Sequence, residues 1–138
     1  MSEIAELRAR ANAGEADAMT DFGKRLLVGG KNGPPNIPAG AHYVLRAAEA
    51  GNAEAMTQHA ALVAGGIANA ADWDKALDWL ERAAATGFAP ALEQLQFMAG
   101  RADGDGAAVR RAIDVAALLR PPQARVEIES PRIATARG

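Results

Sequence analysis

Asp72-Trp73-Asp74-Lys75-Ala76-Leu77-Asp78-Trp79-Leu80-Glu81-Arg82-Ala83-Ala84-Ala85-Thr86-Gly87 spells out one complete amphipathic helix, with a start, two apolar faces and a stop. Asp72 suits the N-cap, where its carboxylate accepts from free amides of the first turn, and Asp74 puts negative charge where the helix dipole favours it. Gly87 supplies the left-handed residue that ends the helix. Trp73, Leu77, Leu80 and Ala84 recur at helical spacing and share one face, while Ala76, Trp79 and Ala83 form a second apolar stripe beside it. A face that wide needs neighbours on two sides. The helix therefore belongs inside a stack of helices, with Trp79 in the core.

The same grammar recurs. Ala13-Gly14-Glu15-Ala16-Asp17-Ala18-Met19, Ala50-Gly51-Asn52-Ala53-Glu54-Ala55-Met56 and Thr86-Gly87-Phe88-Ala89-Pro90-Ala91-Leu92 place glycines 37 and then 36 residues apart. That period marks a two-helix repeat, with glycine punctuating every second helix. Ahead of the glycines stand Leu80-Glu81-Arg82-Ala83-Ala84-Ala85-Thr86, Val44-Leu45-Arg46-Ala47-Ala48-Glu49-Ala50 and a fainter Leu7-Arg8-Ala9-Arg10-Ala11-Asn12-Ala13.

Composition agrees with this organisation. Of 138 residues 49% are hydrophobic, yet the aromatics are only two Trp, one Tyr and three Phe, and alanine supplies much of the remainder, which suits close helix packing. A net charge of -2 and no basic run interleaved with aromatics give no case for nucleic acid. Without cysteine there is no disulfide framework, thiolate zinc site or cysteine nucleophile. The opening residues carry no basic and apolar leader, and the longest apolar run, residues 60–68, falls short of the roughly 18 needed to span a bilayer. The expectation is a cytoplasmic chain with no membrane partner.

Seven helices in antiparallel succession are expected over residues 1–118. The first, from Ser2 to Ala13, reads as the second half of a repeat and turns Ile4, Leu7 and Ala11 inward. The first helix of repeat one buries Ala18, Met19, Phe22 and Leu26 and breaks at Gly29-Gly30. Pro38 fits the opening turn of its partner, which carries Tyr43, Val44, Ala47 and Ala48. The intervening loop, residues 29–37, is read as the longest in the chain. Repeat two opens with a helix from about Ala53 to Ala64. In repeat three Leu92, Leu95 and Met98 face inward, and Asp105 caps a last helix carrying Val109, Ile113, Ala116 and Ala117. Residues 1–119 thus form one helical repeat domain. Residues 120–138 form an extended tail in which Ala124-Arg125-Val126-Glu127-Ile128-Glu129-Ser130 alternates apolar and polar residues, a strand pattern closed by Pro131.

These residues resemble the Sel-one-like (Sel1-like) repeats, relatives of the tetratricopeptide repeat. Repeat two carries Ala55, His59-Ala60, Val63, Gly66, Asp72, Lys75-Ala76, Trp79, Ala83-Ala84 and Gly87. Repeat one carries Ala18, Phe22-Gly23, Leu26 and Gly29, whereas repeat three departs with Leu95-Gln96, Ala99 and Ala102. Aliphatics or alanine replace the family's aromatic in each copy, and Gln96 stands where close backbone approach wants a small residue. The resemblance implies an all-α, right-handed α-solenoid that binds a protein or peptide, commonly as an adaptor. The candidate site is then the concave face of the first helices, with Asp17, Asp21, Lys24, Glu54, Gln58, Glu93 and Gln94. The alternative is that the same side chains are a solvated helical face.

No catalytic constellation is found, and no cofactor or metal is expected. His59 takes the inward leucine position of its repeat and reads as a buried histidine with one hydrogen bond. Neither His42 nor His59 has a carboxylate two residues on. Gly29-Gly30-Lys31-Asn32-Gly33 follows a helix and lacks phosphate-loop spacing, so it reads as a helix stop and turn. Asp103-Gly104-Asp105-Gly106 lacks the ligands of a calcium loop and reads as a turn with an N-cap. The tail, Arg125 to Ile133, also resembles the entry to prolyl-4-hydroxylase-like dioxygenases that use 2-oxoglutarate and iron. That implies an alternative in which this chain is the non-catalytic helical part of such an enzyme, with a His-x-Asp motif and a distal histidine beyond Gly138.

Overall fold

The computed structural model describes residues 3–113, apart from residues 32 and 68. Among them seven helices follow one another: α1 (Glu3–Asn12), α2 (Ala16–Val28), α3 (Ile37–Glu49), α4 (Ala53–Ala64), α5 (Trp73–Ala85), α6 (Ala89–Ala99) and α7 (Gly106–Ala112). No strand occurs among the described residues; a lone bridge joins Gly30 to Gly33. We call α2, α4 and α6 the A helices and α3, α5 and α7 the B helices of three repeats. Each helix packs on its predecessor, and α5 also touches α7, which makes an all-α solenoid with a core shared between neighbours. The expected extension of α7 to Ala116 and Ala117 and the tail over residues 120–138 lie outside the described residues. The loop of residues 29–36 is matched in length by that of residues 65–72 and so is not the longest.

Local chemistry repeats with the helices. Each B helix is capped by an Asx side chain: Asn36 accepts from the Ala39 amide at 3.2 Å, Asp72 from Lys75 at 3.0 Å and Asp105 from Ala108 at 2.9 Å. Before each A helix stands a glycine with positive φ, 93° at Gly14, 98° at Gly51 and 93° at Gly87. Nothing crowds the place of a Cβ at these three, so the demand is on backbone conformation alone.

Because the A helices begin at Ala16, Ala53 and Ala89, equivalent residues fall into columns. Ala18, Ala55 and Ala91 form one column and all are buried. Gly23, Ala60 and Gln96 form another. A methyl on Gly23 would lie 2.8 Å from Val44 Cγ2 and 3.0 Å from the Gly40 carbonyl oxygen, and one on Gly40 only 2.7 Å from Leu27 Cγ. The backbones of α2 and α3 therefore touch where both side chains are hydrogen. In the third copy Gln96 turns to the α6–α7 connection, where Nε2 donates to the Gly104 carbonyl at 3.1 Å.

Two ring pairs show the same register between A and B helices. Phe22 meets Tyr43 edge to face at 4.9 Å in repeat one, and His59 meets Trp79 in the same manner at 5.1 Å in repeat two. Trp79 is not in the core as expected. It is half-buried against it, packed perpendicular to the His59 ring and with one face under the Arg82 guanidinium, whose carbon lies 4.3 Å from the ring centre. Trp73 is likewise half-buried. His59 is half-buried too, and its Nδ1 is enclosed with no hydrogen-bond partner among the described residues, so that atom does not make the bond expected of it. Burial lowers the His59 pKa from 6.5; Glu49 opposes the shift and Lys75 adds to it.

The last repeat is fastened by charge. Arg110 on α7 reaches Asp74 at 2.6 Å, Asp78 at 2.6 Å and Glu81 at 3.3 Å, all on α5, and donates to the Asp74 carbonyl at 3.2 Å. Burial acts against its charge, but the bonds to Asp78 and Asp74 outweigh it and raise the Arg110 pKa above its ordinary value. Its side chain is 17% exposed whereas Asp74 and Asp78 are 71% and 59% exposed, so the clamp is shielded on the cation's side only and salt screens it from the other.

Three outcomes are expected. Gly23→Ala should destabilise the fold by about 1–3 kcal/mol through overpacking, seen as a lower urea midpoint; an unchanged midpoint would show that α2 and α3 have room between them. The unfolded chain takes up a proton at His59 near pH 6.5 while the folded chain resists it. The His59 contribution is therefore complete above that pH and is lost as pH falls toward the lower folded pKa, and His59→Leu should flatten this loss in thermal melts across the acid range. Arg110→Met should cost about 1–2 kcal/mol at low salt and less at high salt, and equal losses at both would refute a charge clamp.

Candidate partner-binding surface

The repeat offset sets the geometry of the polar A-helix face. Asp21, Gln58 and Gln94 occupy the same position on α2, α4 and α6, so they form a row that crosses the three repeats. Asp21 and Gln94 are exposed and Gln58 is half-buried. Asp17 and Glu54 form a second, shorter column that Pro90 completes without a charge.

Part of the expected site is occupied in holding the stack together. Lys24 Nζ lies 2.7 Å from Glu54 Oε2, and Asn52 donates from Nδ2 to Asp17 Oδ1 at 2.8 Å, so both contacts join α2 to the start of α4. Asp21 pairs along its own helix with Arg25 at 3.5 Å, while Arg25 also reaches Glu3 on α1 at 3.0 Å. The hydrogen bond to Glu3 and then the charge of Asp21 raise the Arg25 pKa. Gln58, Glu93 and Gln94 make no hydrogen bond or ion pair among the described residues, which leaves their polar groups to solvent or a partner. The seven residues thus divide into links and open positions, a division that helical spacing alone does not reveal.

A groove of about 770 Å³ opens between α1, α2 and the loop after α2, and sequence reasoning missed it. Its apolar surface comes from Ile4, Phe22, Leu26 and Val28, and four cations, Arg8, Lys24, Arg25 and Lys31, stand around it with one carboxylate, Asp21. Val28 is 76% exposed, a large apolar side chain left in water. The loop is held by reciprocal bonds, Gly30 N to Gly33 O at 2.9 Å and Gly33 N to Gly30 O at 3.0 Å. Gly29 has φ 74°, and a Cβ there would sit 2.6 Å from Pro35 N, so the turn back toward α2 depends on glycine. The Gly-Gly and Pro-Pro pairs around Lys31 were the available signal, but they show a sharp turn and not what the turn encloses.

Among the described residues no group of three His, Cys, Asp or Glu side chains is placed to hold a metal ion, and no helix is long and apolar enough to cross a membrane. His42 stacks edge to face on Tyr43 at 5.5 Å, whereas His59 lies against Trp79.

No family model and no curated protein matches the chain. Solved structures that resemble it include the following two. A Sel1 repeat protein from Oxalobacter formigenes is 33% identical with a TM-score of 0.58, over 65% of this chain and 26% of its own. The protein c5321, a protective antigen present in uropathogenic Escherichia coli strains and displaying an SLR fold, is 25% identical with a TM-score of 0.65, over 77% of this chain and 22% of its own. The chain thus spans about a quarter of the length of each. The repeat period, the register columns and both likenesses agree that this chain has the fold of the Sel1-like repeat proteins.

Proposed function

We propose that the chain is a binding module, an adaptor whose A-helix face holds a protein or peptide, working in the cytoplasm without a cofactor. The observation that carries this reading is the row of Asp21, Gln58 and Gln94, one side chain per repeat at a constant position, with Glu93 beside it. A row of that kind suits an extended ligand, whose backbone amides and carbonyls find a polar partner at each repeat. Asp17, Lys24 and Glu54 set the spacing of the row by tying α2 to α4, and Asp21 both belongs to it and steadies Arg25.

A second reading is favoured by the alternating segment from Ala124 to Ser130 and the Pro131 that follows it. In that reading the chain is the helical part of a 2-oxoglutarate- and iron-dependent dioxygenase whose catalytic domain lies beyond residue 138. Turnover of 2-oxoglutarate by a longer native product, lost on changing a downstream His-x-Asp motif, would support it.

The leading reading is tested by combining Gln58→Ala, Glu93→Lys and Gln94→Ala, none of which removes a side-chain hydrogen bond or ion pair seen among the described residues. A partner recovered with the native chain by affinity capture should be lost from the variant, while the thermal midpoint changes by less than about 0.5 kcal/mol equivalent. Undiminished capture would move the binding face away from the A helices.

A further inference from the structure

We propose that the groove between α1, α2 and the loop after α2 receives an acidic peptide segment of a partner, anchored by apolar side chains. This rests on the binding-module reading and adds a second contact region with a defined ligand chemistry.

The charges around the groove are not equivalent. Lys24 is engaged with Glu54 at 2.7 Å, and Arg25 with Glu3 at 3.0 Å and Asp21 at 3.5 Å. Arg8 on α1 and Lys31 on the loop are exposed and make no ion pair among the described residues. Arg25 has two carboxylates against its one charge, which leaves the surround of the groove at a net charge of +1, and Arg8 and Lys31 remain as cations without an ion pair beside an apolar surface. A partner offering two carboxylates neutralises them, whereas a basic partner meets uncompensated repulsion.

The apolar surface determines the rest of the ligand. Phe22 is buried and forms a fixed base, Ile4 and Leu26 are half-buried, and Val28 is largely exposed. Covering these requires apolar side chains on the ligand, and an extended segment that alternates apolar and acidic residues directs the two kinds to opposite sides. The reciprocal Gly30 and Gly33 bonds and the constrained Gly29 turn hold the loop in place beforehand, so little ordering is required on binding.

The probe is a labelled peptide of alternating leucine and aspartate, compared with its leucine and asparagine counterpart by fluorescence anisotropy on the full chain. The aspartate peptide should bind about five- to tenfold more tightly at low salt, with an advantage that shrinks as salt rises. Arg8→Glu with Lys31→Glu should remove that advantage, Val28→Asp should weaken both peptides, and thermal melts should confirm that each variant folds. Equal binding of the two peptides, or affinity indifferent to the Arg8 and Lys31 variant, overturns the proposal. Binding to phosphatidylserine vesicles with none to the peptide would replace it with a lipid surface. A gain in peptide affinity with Glu127→Lys and Glu129→Lys would instead identify the chain's own segment as the occupant. If the groove variants leave peptide binding intact but the combined Gln58, Glu93 and Gln94 variant abolishes it, the groove assignment fails and the module reading stands; no binding of peptide or partner by the native chain ends both.

Discussion

Close approach between helices through alanine and glycine is the constraint on which the rest of this fold depends. Ala11, Ala47, Ala48, Ala55, Ala83 and Ala91 are fully buried, and at Gly23 and Gly40 even a methyl is too much. An alanine hides little apolar area, so no single helix secures its own place by burial; each gains it from dispersion contacts on both sides. The few bulky anchors are spread thinly, with Val44 on α3, Leu77 on α5, Leu95 on α6 and Val109 on α7 among the largest fully buried side chains. Stability in such a stack is held between neighbours, so a defect at one crossing is felt first by the two helices that share it.

Those features were legible because they are local. A glycine at positive φ and an Asx cap depend on a few successive residues, and alanine at a constant offset marks contact wherever two helices must approach. What spacing could not show is where a wide side chain stops being covered. Trp79 lies on an apolar stripe and reads as core, yet its indole is half-buried, where the His59 ring packs perpendicular to it and Arg82 lies over one face. The candidate site was legible in the same partial way. The repeat placed Asp21, Gln58 and Gln94 in a row, but whether a charge is open or engaged depends on the neighbouring helix, and Lys24 and Glu54 are 30 residues apart in sequence.

The repeats are joined by different chemistry at successive steps. Between repeats one and two the polar links run along the A helices, through Lys24 with Glu54 and Asp17 with Asn52. Between repeats two and three the same columns hold Ala61 and Pro90, which carry no charge, and the polar link moves to the B helices, where Arg110 gathers Asp74, Asp78 and Glu81. Surface pairs of the first kind contribute little each, about 0.2–1 kcal/mol, and serve register more than stability. The Arg110 contacts, made by a largely covered guanidinium to carboxylates that stay in reach of solvent, answer a different need. Three carboxylates on one side of α5 repel one another unless a cation lies among them, so α7 both docks on α5 and neutralises it.

The column of Lys24, Ala61 and Phe97 carries this logic to the end of the described stack. In repeat one that position reaches forward to the next A helix, where Lys24 finds Glu54. In repeat two Ala61 stands at the equivalent place, and the next A helix offers Pro90 in the column of Glu54. In repeat three the position is Phe97, and among the described residues no further A helix follows α6. Phe97 is 85% exposed while Leu95, two residues earlier, is fully buried, so the difference reflects the direction each position faces rather than the packing of α6 as a whole. Side chains in this column change from cation to methyl to phenyl, yet each faces the same direction, because the direction is set by the repeat and the contact by whatever helix comes next.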